Sequence, residues 1–153
     1  MPNTYTQIYI HIIFAVYLRQ PLIRDEFRET LHKYISGTVK KKGSLLIRVN
    51  SMPDHIHILV ALNPGKTLSD LVRDIKANSS KFINEEKFIG NRFQWQRGYS
   101  AFSYSKSQLK GVIDYIDKQK EHHRKRTFKE EYIEFLKKFG VDYDDRYLFD
   151  KDD

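Results

Sequence analysis

The chain has 153 residues, of which 40% are hydrophobic and 14% aromatic, enough to bury a core within one domain. It has no cysteine, so disulfides, thiolate metal sites and cysteine nucleophiles are excluded. The net charge of +7 arises within residues 1–100. A basic region of this kind would attract a polyanion such as nucleic acid. Ordinary surface charge that keeps a protein soluble would account for the excess of basic residues equally well.

The first elements in chain order alternate between strand and helix patterns. Residues 7–17 are rich in β-branched and aromatic side chains on both faces, which predicts a central strand. Residues 24–42 carry apolar side chains at helical spacing. Residues 44–51 and 55–62 predict two strands, and their short link favours an antiparallel hairpin. Thr67 then has the position of an N-cap at the start of an amphipathic helix.

The second half of the chain predicts one extended segment and two helices. Residues 93–104 predict irregular extended structure with a break at Gly98, and residues 106–123 and 127–139 predict the helices. The order β-α-β-β-α-β of the first six elements matches a ferredoxin-like (RRM-like) α+β fold, an antiparallel sheet with helices packed on one face, here followed by a C-terminal tyrosine-bearing helix. We expect residues 1–153 to form one domain, with the second face of the sheet free for a site or a partner.

The chain has no membrane-spanning pattern. Its longest apolar run covers residues 8–16, too short to span a bilayer. No basic leader precedes an apolar stretch at the N-terminus. We therefore expect a cytoplasmic protein that does not enter membranes.

His55 and His57 are the sharpest local signal in the sequence. Residues i and i+2 of a strand point to the same side, so both imidazoles would project together. Two neutral imidazoles suit a divalent metal, and the adjacent Asp54 is placed to orient one of them. Two partly buried histidines with hydrogen-bond partners would give the same pattern, and a catalytic metal needs a third protein ligand. Leu59 stands where the His-x-His-x-His run of a nucleotidyl-transfer class would have its third histidine.

Tyr115 and Gln119 lie one turn apart on the helix predicted over residues 106–123. The phenol and the amide fall together on one flank, at the border between the apolar stripe and solvent. A boundary tyrosine that only packs fits the same pattern, and spacing alone does not choose among the ten tyrosines. Gly111, in the middle of this helix, costs about 1 kcal/mol relative to alanine, which suggests that a backbone or DNA approaches closely there.

Several segments resemble the IS200/IS605 family of transposases, small enzymes of the HUH superfamily with one catalytic tyrosine. The resemblance covers nearly the whole chain, and the order and spacing of the segments match throughout. The segments that carry it are His11 to Phe14, Met52 to Val60, Ile75 to Lys81, Trp95 to Ser103 and Tyr115 to His123.

This resemblance implies roles for four residues. His55 and His57 would be metal ligands, Gln119 the third protein ligand and Tyr115 the nucleophile. The implied metal is Mg²⁺ or Mn²⁺, and the implied substrate is single-stranded DNA with hairpin ends. Such a DNA transposase cleaves and rejoins its substrate through a 5′-phosphotyrosine intermediate. The family's proteins are homodimers, in which the tyrosine helix of one subunit can complete the histidine site of the other.

Basic and aromatic side chains outside this set are candidates for binding single-stranded DNA. Positive side chains would contact the phosphate backbone, and aromatic ones would stack on unpaired bases. The backbone candidates are Arg48, Arg73, Lys76, Lys81 and Arg97, and the stacking candidates are Trp95, Tyr99 and Phe102. The basic segment 122–126 is a further candidate for DNA contact. A packed aromatic segment with solvated charges is an equally good account of any one of them.

Three other functions fit the same residues. A domesticated relative that processes repetitive extragenic palindromes would share the chemistry, and genomic flanks would separate the two. A nonenzymatic binder of single-stranded nucleic acid would need neither metal nor Tyr115. A metal-dependent phosphoesterase would use His55 and His57 with water as the nucleophile, which leaves Tyr115 a structural role.

Overall fold

A four-stranded antiparallel sheet forms the centre of the computed structural model, which describes residues 3–150. Its strands are β1 (Tyr9–Ala15), β2 (Leu45–Met52), β3 (His55–Ala61) and β4 (Ser100–Tyr104), in the order β2-β3-β1-β4. β1 pairs with β3 and β4, and β2 pairs with β3 across the short link of the predicted hairpin. This order confirms the ferredoxin-like α+β fold.

Two helices, α1 (Asp25–Lys41) and α2 (Leu68–Glu85), cover one face of the sheet. Alternate side chains of β1 and β3 point to this face, as the two-residue period of a strand predicts. The fully buried strand residues on this face are Ile12, Phe14, Ile56, Ile58 and Val60. The Thr67 hydroxyl accepts a hydrogen bond from the Asp70 N–H at 3.1 Å, which confirms the predicted N-cap of α2.

The second face of the sheet is covered as well, contrary to the expectation that it is free. It lies under α3 (Leu109–Asp117), α4 (Gln119–His122) and α5 (Phe128–Lys138). α5 packs on β1 and β4, and α3 packs on β3. Ile13 and Leu59 belong to this face and are fully buried, so a second layer is needed to keep them from water. His55 and His57 share the face with Leu59 and therefore lie between the sheet and the C-terminal helices.

The helix predicted over residues 106–123 is interrupted. Lys118 leaves helical geometry, with φ −98° and ψ 22°, and α4 begins at Gln119. The side-chain amide of Asn50 on β2 donates a hydrogen bond to the Ile116 carbonyl at 2.8 Å, so the sheet satisfies a carbonyl at the end of α3. The candidate nucleophile and the candidate third ligand therefore lie on two separate helical segments.

Two further features complete the fold. Trp95 forms an isolated antiparallel bridge with Val16, and regular pairing in the predicted extended segment 93–104 begins only at β4. None of the helices among residues 3–150 has both the length and the apolar character that crossing a membrane requires.

Candidate active site

His55 and His57 project side by side from β3 and are fully buried. The Nδ1 atom of His55 lies 2.7 Å from a carboxylate oxygen of Asp54, the contact that the sequence predicts. The Nδ1 atom of His57 lies 2.8 Å from Nε2 of His11 on β1. Because both Nδ1 atoms are engaged, each imidazole keeps its Nε2 atom for the groups between the sheet and the helices.

A buried carboxylate and a buried amide meet these Nε2 atoms. Glu131, on α5, places Oε1 3.2 Å from Nε2 of His57 and 3.5 Å from Nε2 of His55. Gln119, at the start of α4, places Oε1 3.3 Å from Nε2 of His55. Nε2 of His123 lies 3.1 Å from that amide oxygen and 3.3 Å from Oε1 of Glu131. Three imidazoles, one carboxylate and one amide thus converge in one place.

Burial and hydrogen bonding decide which of these groups carry charge. Burial lowers the pKa of the His57 imidazole, which is therefore neutral near pH 7. Burial alone would raise the pKa of the Glu131 carboxyl, but hydrogen bonds from His123 and His57 hold it well below its usual range. An ionised carboxylate therefore lies beside a neutral His57.

The donor set suits a divalent cation. His55, His57 and Glu131 each offer one ligand atom, these atoms lie within 4.8 Å of one another, and all three side chains are buried. Imidazole nitrogen and carboxylate oxygen are ligands that divalent metals accept. Asp54 and His11 hold the two imidazoles from behind, as the outer partners of metal-binding histidines do. This group could therefore hold a metal ion, with the carboxylate as a third protein ligand.

Tyr115, on α3, reaches the same carboxylate. Its hydroxyl donates a hydrogen bond to Glu131, and the Arg126 guanidinium donates one to the hydroxyl oxygen. The centroid of its ring lies 6.1 Å from that of His57 and 4.3 Å from that of His122, on which it stacks. Burial and then the charge of Glu131 raise the pKa of the Tyr115 hydroxyl, an effect that Arg126 partly offsets. The phenol is therefore protonated in this arrangement.

Glu131 was not predicted from the sequence as a member of this cluster. It lies on α5 between Phe128 and Phe135, whose side chains are buried against β1 and β4. A charged residue beside the apolar stripe of an amphipathic helix is the signal that could have identified it. His11 carried no comparable signal for its contact with His57, because the two residues are 46 positions apart in the chain.

Four of the predicted DNA-backbone contacts are exposed. Arg73 and Lys81 lie on α2, across the sheet from the histidines, and each pairs with an acid within one turn of the same helix. Arg48 pairs with Asp117 at 3.4 Å. Arg97 is the most open, with 91% of its side chain exposed. Their charges are available to a phosphate backbone, but they lie outside the histidine cluster.

The side chains of Lys76 and of the predicted stacking residues form contacts within the protein. Nζ of Lys76 donates hydrogen bonds to the carbonyl oxygens of residues 96–98 at 2.8, 3.2 and 2.7 Å. Trp95 is 7% exposed and its indole N–H donates to a serine of α2 at 2.8 Å. Phe102 is buried under α5, while Tyr99 is half-buried against the core. The sequence makes Trp95 and Phe102 candidates for stacking on unpaired bases, but in this arrangement both rings are buried and are not available to do so.

Comparison with known proteins identifies relatives among transposases. The profile of the family described as "Transposase IS200 like" matches residues 4–119, so Arg126 and Glu131 lie beyond the match. The chain is 25% identical over 119 residues to the ISDra2 transposase TnpA of Deinococcus radiodurans, a match that covers 74% of this chain and 84% of that protein. It is 29% identical over 116 residues to the transposase for insertion sequence element IS200 of Salmonella typhimurium, covering 72% of this chain and 76% of that protein.

Two solved structures share the fold. A Deinococcus radiodurans r1 protein assigned to the transposases aligns with a TM-score of 0.63 and 20% identity, over 76% of this chain and 94% of that one. A REP-associated tyrosine transposase bound to a REP hairpin aligns with a TM-score of 0.59 and 16% identity, over 79% of this chain and 72% of that one. Because the family profile extends from the N-terminal region through the sheet to Gln119, this protein belongs to the IS200-like transposase family.

Proposed function

We propose that this protein is a metal-dependent transposase that cleaves and rejoins single-stranded DNA with Tyr115 as the nucleophile. The observation that carries the proposal is the Glu131 carboxylate. One of its oxygens lies beside His55 and His57, and the other accepts the hydrogen bond of the Tyr115 hydroxyl. The candidate nucleophile and the candidate metal ligands therefore meet within one chain.

His55 and His57 would hold the metal, Mg²⁺ or Mn²⁺, with Gln119 and Glu131 as further oxygen ligands. A divalent cation in this site would bind a phosphate oxygen and withdraw charge from the phosphorus as a Lewis acid. The hydrogen bonds at both Nδ1 atoms keep the imidazoles oriented for this role.

In the cleavage step the Tyr115 oxygen attacks the phosphorus of one phosphodiester. An O–P bond forms to the tyrosine and the bond to the 3′ oxygen breaks, which leaves a 5′-phosphotyrosine link and, after proton uptake, a free 3′-OH. The Tyr115 oxygen loses its proton as it attacks, and the 3′ oxygen takes one up as it leaves. Because the charge of Glu131 raises the pKa of Tyr115, attack requires that this charge be compensated, and the guanidinium of Arg126 contributes to that.

In the joining step a different 3′-OH attacks the phosphotyrosine. The new phosphodiester forms as the bond to the Tyr115 oxygen breaks, and the tyrosine takes back a proton. The covalent link conserves the energy of the original phosphodiester, so this exchange needs no nucleoside triphosphate.

The proposed ligand is single-stranded DNA that folds into hairpins. A hairpin-bound relative with the same fold and the net charge of +7 support it. Exposed Arg48, Arg73, Lys81 and Arg97 are the proposed backbone contacts, and Tyr99 a proposed stacking residue. The hairpin-bound relative also favours the second candidate, in which the same chemistry processes repetitive extragenic palindromes.

We also propose that residues 1–153 act as one domain and that the protein is a homodimer. Tyr115 and His57 approach each other within one chain. A partner subunit is therefore not required to bring the nucleophile to the histidines, although exchange of the tyrosine helix between subunits is compatible with the break at Lys118.

The test is a covalent protein–DNA adduct. The protein is incubated with Mn²⁺ and a labelled library of single-stranded hairpins with randomised flanks, and the products are separated on a denaturing gel. We expect an adduct that Tyr115→Phe and His57→Ala abolish and that Tyr147→Phe, at an exposed position, retains. An adduct that persists in Tyr115→Phe would overturn the assignment of the nucleophile. Cleavage without an adduct would indicate a phosphoesterase, and binding without cleavage a nonenzymatic binder.

A further inference from the structure

A cavity of about 520 Å³ opens between α3 and α5 beside Tyr115. Its volume lies in the range of pockets that bind small organic groups. The walls combine aromatic rings, an amide, a guanidinium and bare helix backbone. Its lining residues include Tyr104, Gln108, Gly111, Tyr115, Arg126 and Phe135. The proposed cleavage chemistry uses only one edge of this cavity.

Aromatic side chains form much of the wall. Phe135 and Tyr115 lie edge to face, with ring centroids 5.4 Å apart. Tyr104 contributes a third ring, from the end of β4. Burial raises the pKa of the Tyr104 hydroxyl to about 12, so it keeps its proton and can donate a hydrogen bond. Faces of this kind stack on nucleobases with little regard to their identity.

Two polar side chains at the cavity have unused hydrogen-bonding capacity. Oε1 of Gln108 accepts from the N–H and the hydroxyl of Ser105, so its amide NH₂ remains as a donor within residues 3–150. His11 also lines the cavity, and its buried Nδ1 atom has no hydrogen-bond partner in the described part of the chain. Buried polar atoms are nearly always paired in folded proteins. His11 is therefore a polar group in the wall that the described part of the protein does not fully satisfy.

Gly111 keeps one wall of the cavity open. It lies in the middle of α3, where glycine costs about 1 kcal/mol relative to alanine. A Cβ atom at this position would meet nothing within 4 Å, so packing within the protein does not require glycine. The absence of a side chain instead leaves room for a flat group to lie against the helix backbone beside Tyr115.

Positive charge also lies at the cavity. Arg126 and Lys138 both line it, and the one carboxylate among its lining residues, Glu134, is paired with Arg126. Phosphates on either side of a bound nucleotide would meet this charge. Aromatic walls, hydrogen-bond donors and positive charge together suit a nucleotide better than an apolar ligand.

We propose that this cavity binds a nucleobase of the substrate strand, the base next to the phosphate that Tyr115 attacks. This inference rests on the proposed function, which puts that phosphate at the Tyr115 hydroxyl. The neighbouring base is joined to it through one sugar and has to lie within one nucleotide of that hydroxyl, where the cavity begins. Stacking accepts any base, while Gln108 and Tyr104 donate to acceptor atoms on its edge.

The experiment measures binding without catalysis. Tyr115→Phe protein, which keeps the ring but has no nucleophile, is titrated without metal against each of the four deoxynucleoside 5′-monophosphates. The probe without a base is 2-deoxyribose 5-phosphate. The readouts are the NMR signals of the Gly111 backbone amide and of the Gln108 side-chain NH₂. We expect saturable shifts with nucleotides and much smaller ones with the sugar phosphate, which keeps the phosphate but has no base to stack.

A matched pair of variants, made in the same background, tests the location. Gly111→Leu fills the cavity and should weaken nucleotide binding about tenfold or more, since stacking supplies most of it. Gly111→Ala adds a single methyl group and should weaken it less. Equal shifts from nucleotides and sugar phosphate would overturn the proposal, and so would unchanged nucleotide binding in a folded Gly111→Leu. The comparison of nucleotides with the sugar phosphate needs no variant at position 111. It therefore tests the proposed base site even if Gly111→Leu does not fold.

The nucleotide titration and the adduct assay can fail independently of each other. An adduct without base-dependent shifts would keep the proposed function and overturn the base site. Base-dependent shifts without any adduct would keep the base site and overturn the role of Tyr115.

Discussion

The hydroxyl of Tyr115 donates a hydrogen bond to the carboxylate of Glu131, so the candidate nucleophile and a candidate metal ligand share one contact. The other oxygen of this carboxylate lies 3.2 Å from Nε2 of His57. Glu131 and His57 are both fully buried. A phosphate that is to reach the phenol and the histidines together must therefore displace the carboxylate from one of its partners, which requires movement of its side chain or of α5.

Replacing Glu131 separates its role from that of Gln119. We expect Glu131→Gln to weaken Mn²⁺ binding about ten- to hundredfold, because an anionic oxygen beside both histidines becomes a neutral amide. Isothermal titration calorimetry would measure the dissociation constant. The control is Glu130→Gln, an exposed neighbour where glutamine can still form the capping box with Thr127. Unchanged affinity in Glu131→Gln, with affinity lost in Gln119→Ala, would restrict the ligands to the set that the family resemblance implies.

Asp54 holds His55 from behind. Its Oδ1 lies 2.7 Å from Nδ1 of His55, which leaves Nε2 of that ring for a metal. We expect Asp54→Asn to weaken Mn²⁺ binding about tenfold, since the anionic acceptor that orients the ring and makes it more basic becomes a neutral amide. Electron paramagnetic resonance of free Mn²⁺ would measure this. Asp25→Asn, on the exposed start of α1, should leave the affinity unchanged, and equal affinities in both variants would contradict the role of Asp54.

The sequence predicts those features of the site that depend on the periodic alternation of side chains within one strand or helix. His55 and His57 alternate with apolar residues, so the two-residue period of a strand is enough to bring both imidazoles to one face. The role of Glu131 depends on α5 folding back over the sheet, and the break at Lys118 accompanies a contact from Asn50 on β2. Neither contact is visible in a helical period, because each joins segments that are distant in the chain.

Lys76 is a second case in which tertiary contacts decide the role of a residue. Its charge and its place on α2 predict a DNA contact, but its ammonium group donates to three backbone carbonyls. We expect Lys76→Met to lower the free energy of unfolding by about 2 kcal/mol, because those carbonyls lose a charged donor. Lys81→Met, at an exposed position of the same helix, should change it by less than about 0.5 kcal/mol. Equal effects in urea unfolding would show that the Lys76 hydrogen bonds contribute nothing.

His32 predicts a pH dependence of stability that is independent of the metal site. Its Nε2 atom lies 2.7 Å from the hydroxyl oxygen of Ser51, and burial together with the charge of Arg28 lowers the pKa of its imidazole from 6.5 to about 4. At pH values well above 6.5, the ordinary pKa that the imidazole has in the unfolded chain, His32 is neutral in both the folded and the unfolded chain. Its contribution to stability is then fully present. As the pH falls from 6.5 to about 4, the unfolded chain takes up a proton that the folded chain resists, and stability declines.

The variant that tests this is His32→Gln, which can still hydrogen-bond to Ser51 but does not titrate. Urea unfolding of both proteins would be measured at several pH values. The difference in unfolding free energy between wild type and variant should be constant above about pH 7 and should fall as the pH drops toward 4. The measurements above pH 7 are the internal control, because neither folded nor unfolded His32 binds a proton there. A difference that stays constant down to pH 4 would mean that His32 has the same pKa in the folded and the unfolded chain, and that its burial does not resist protonation.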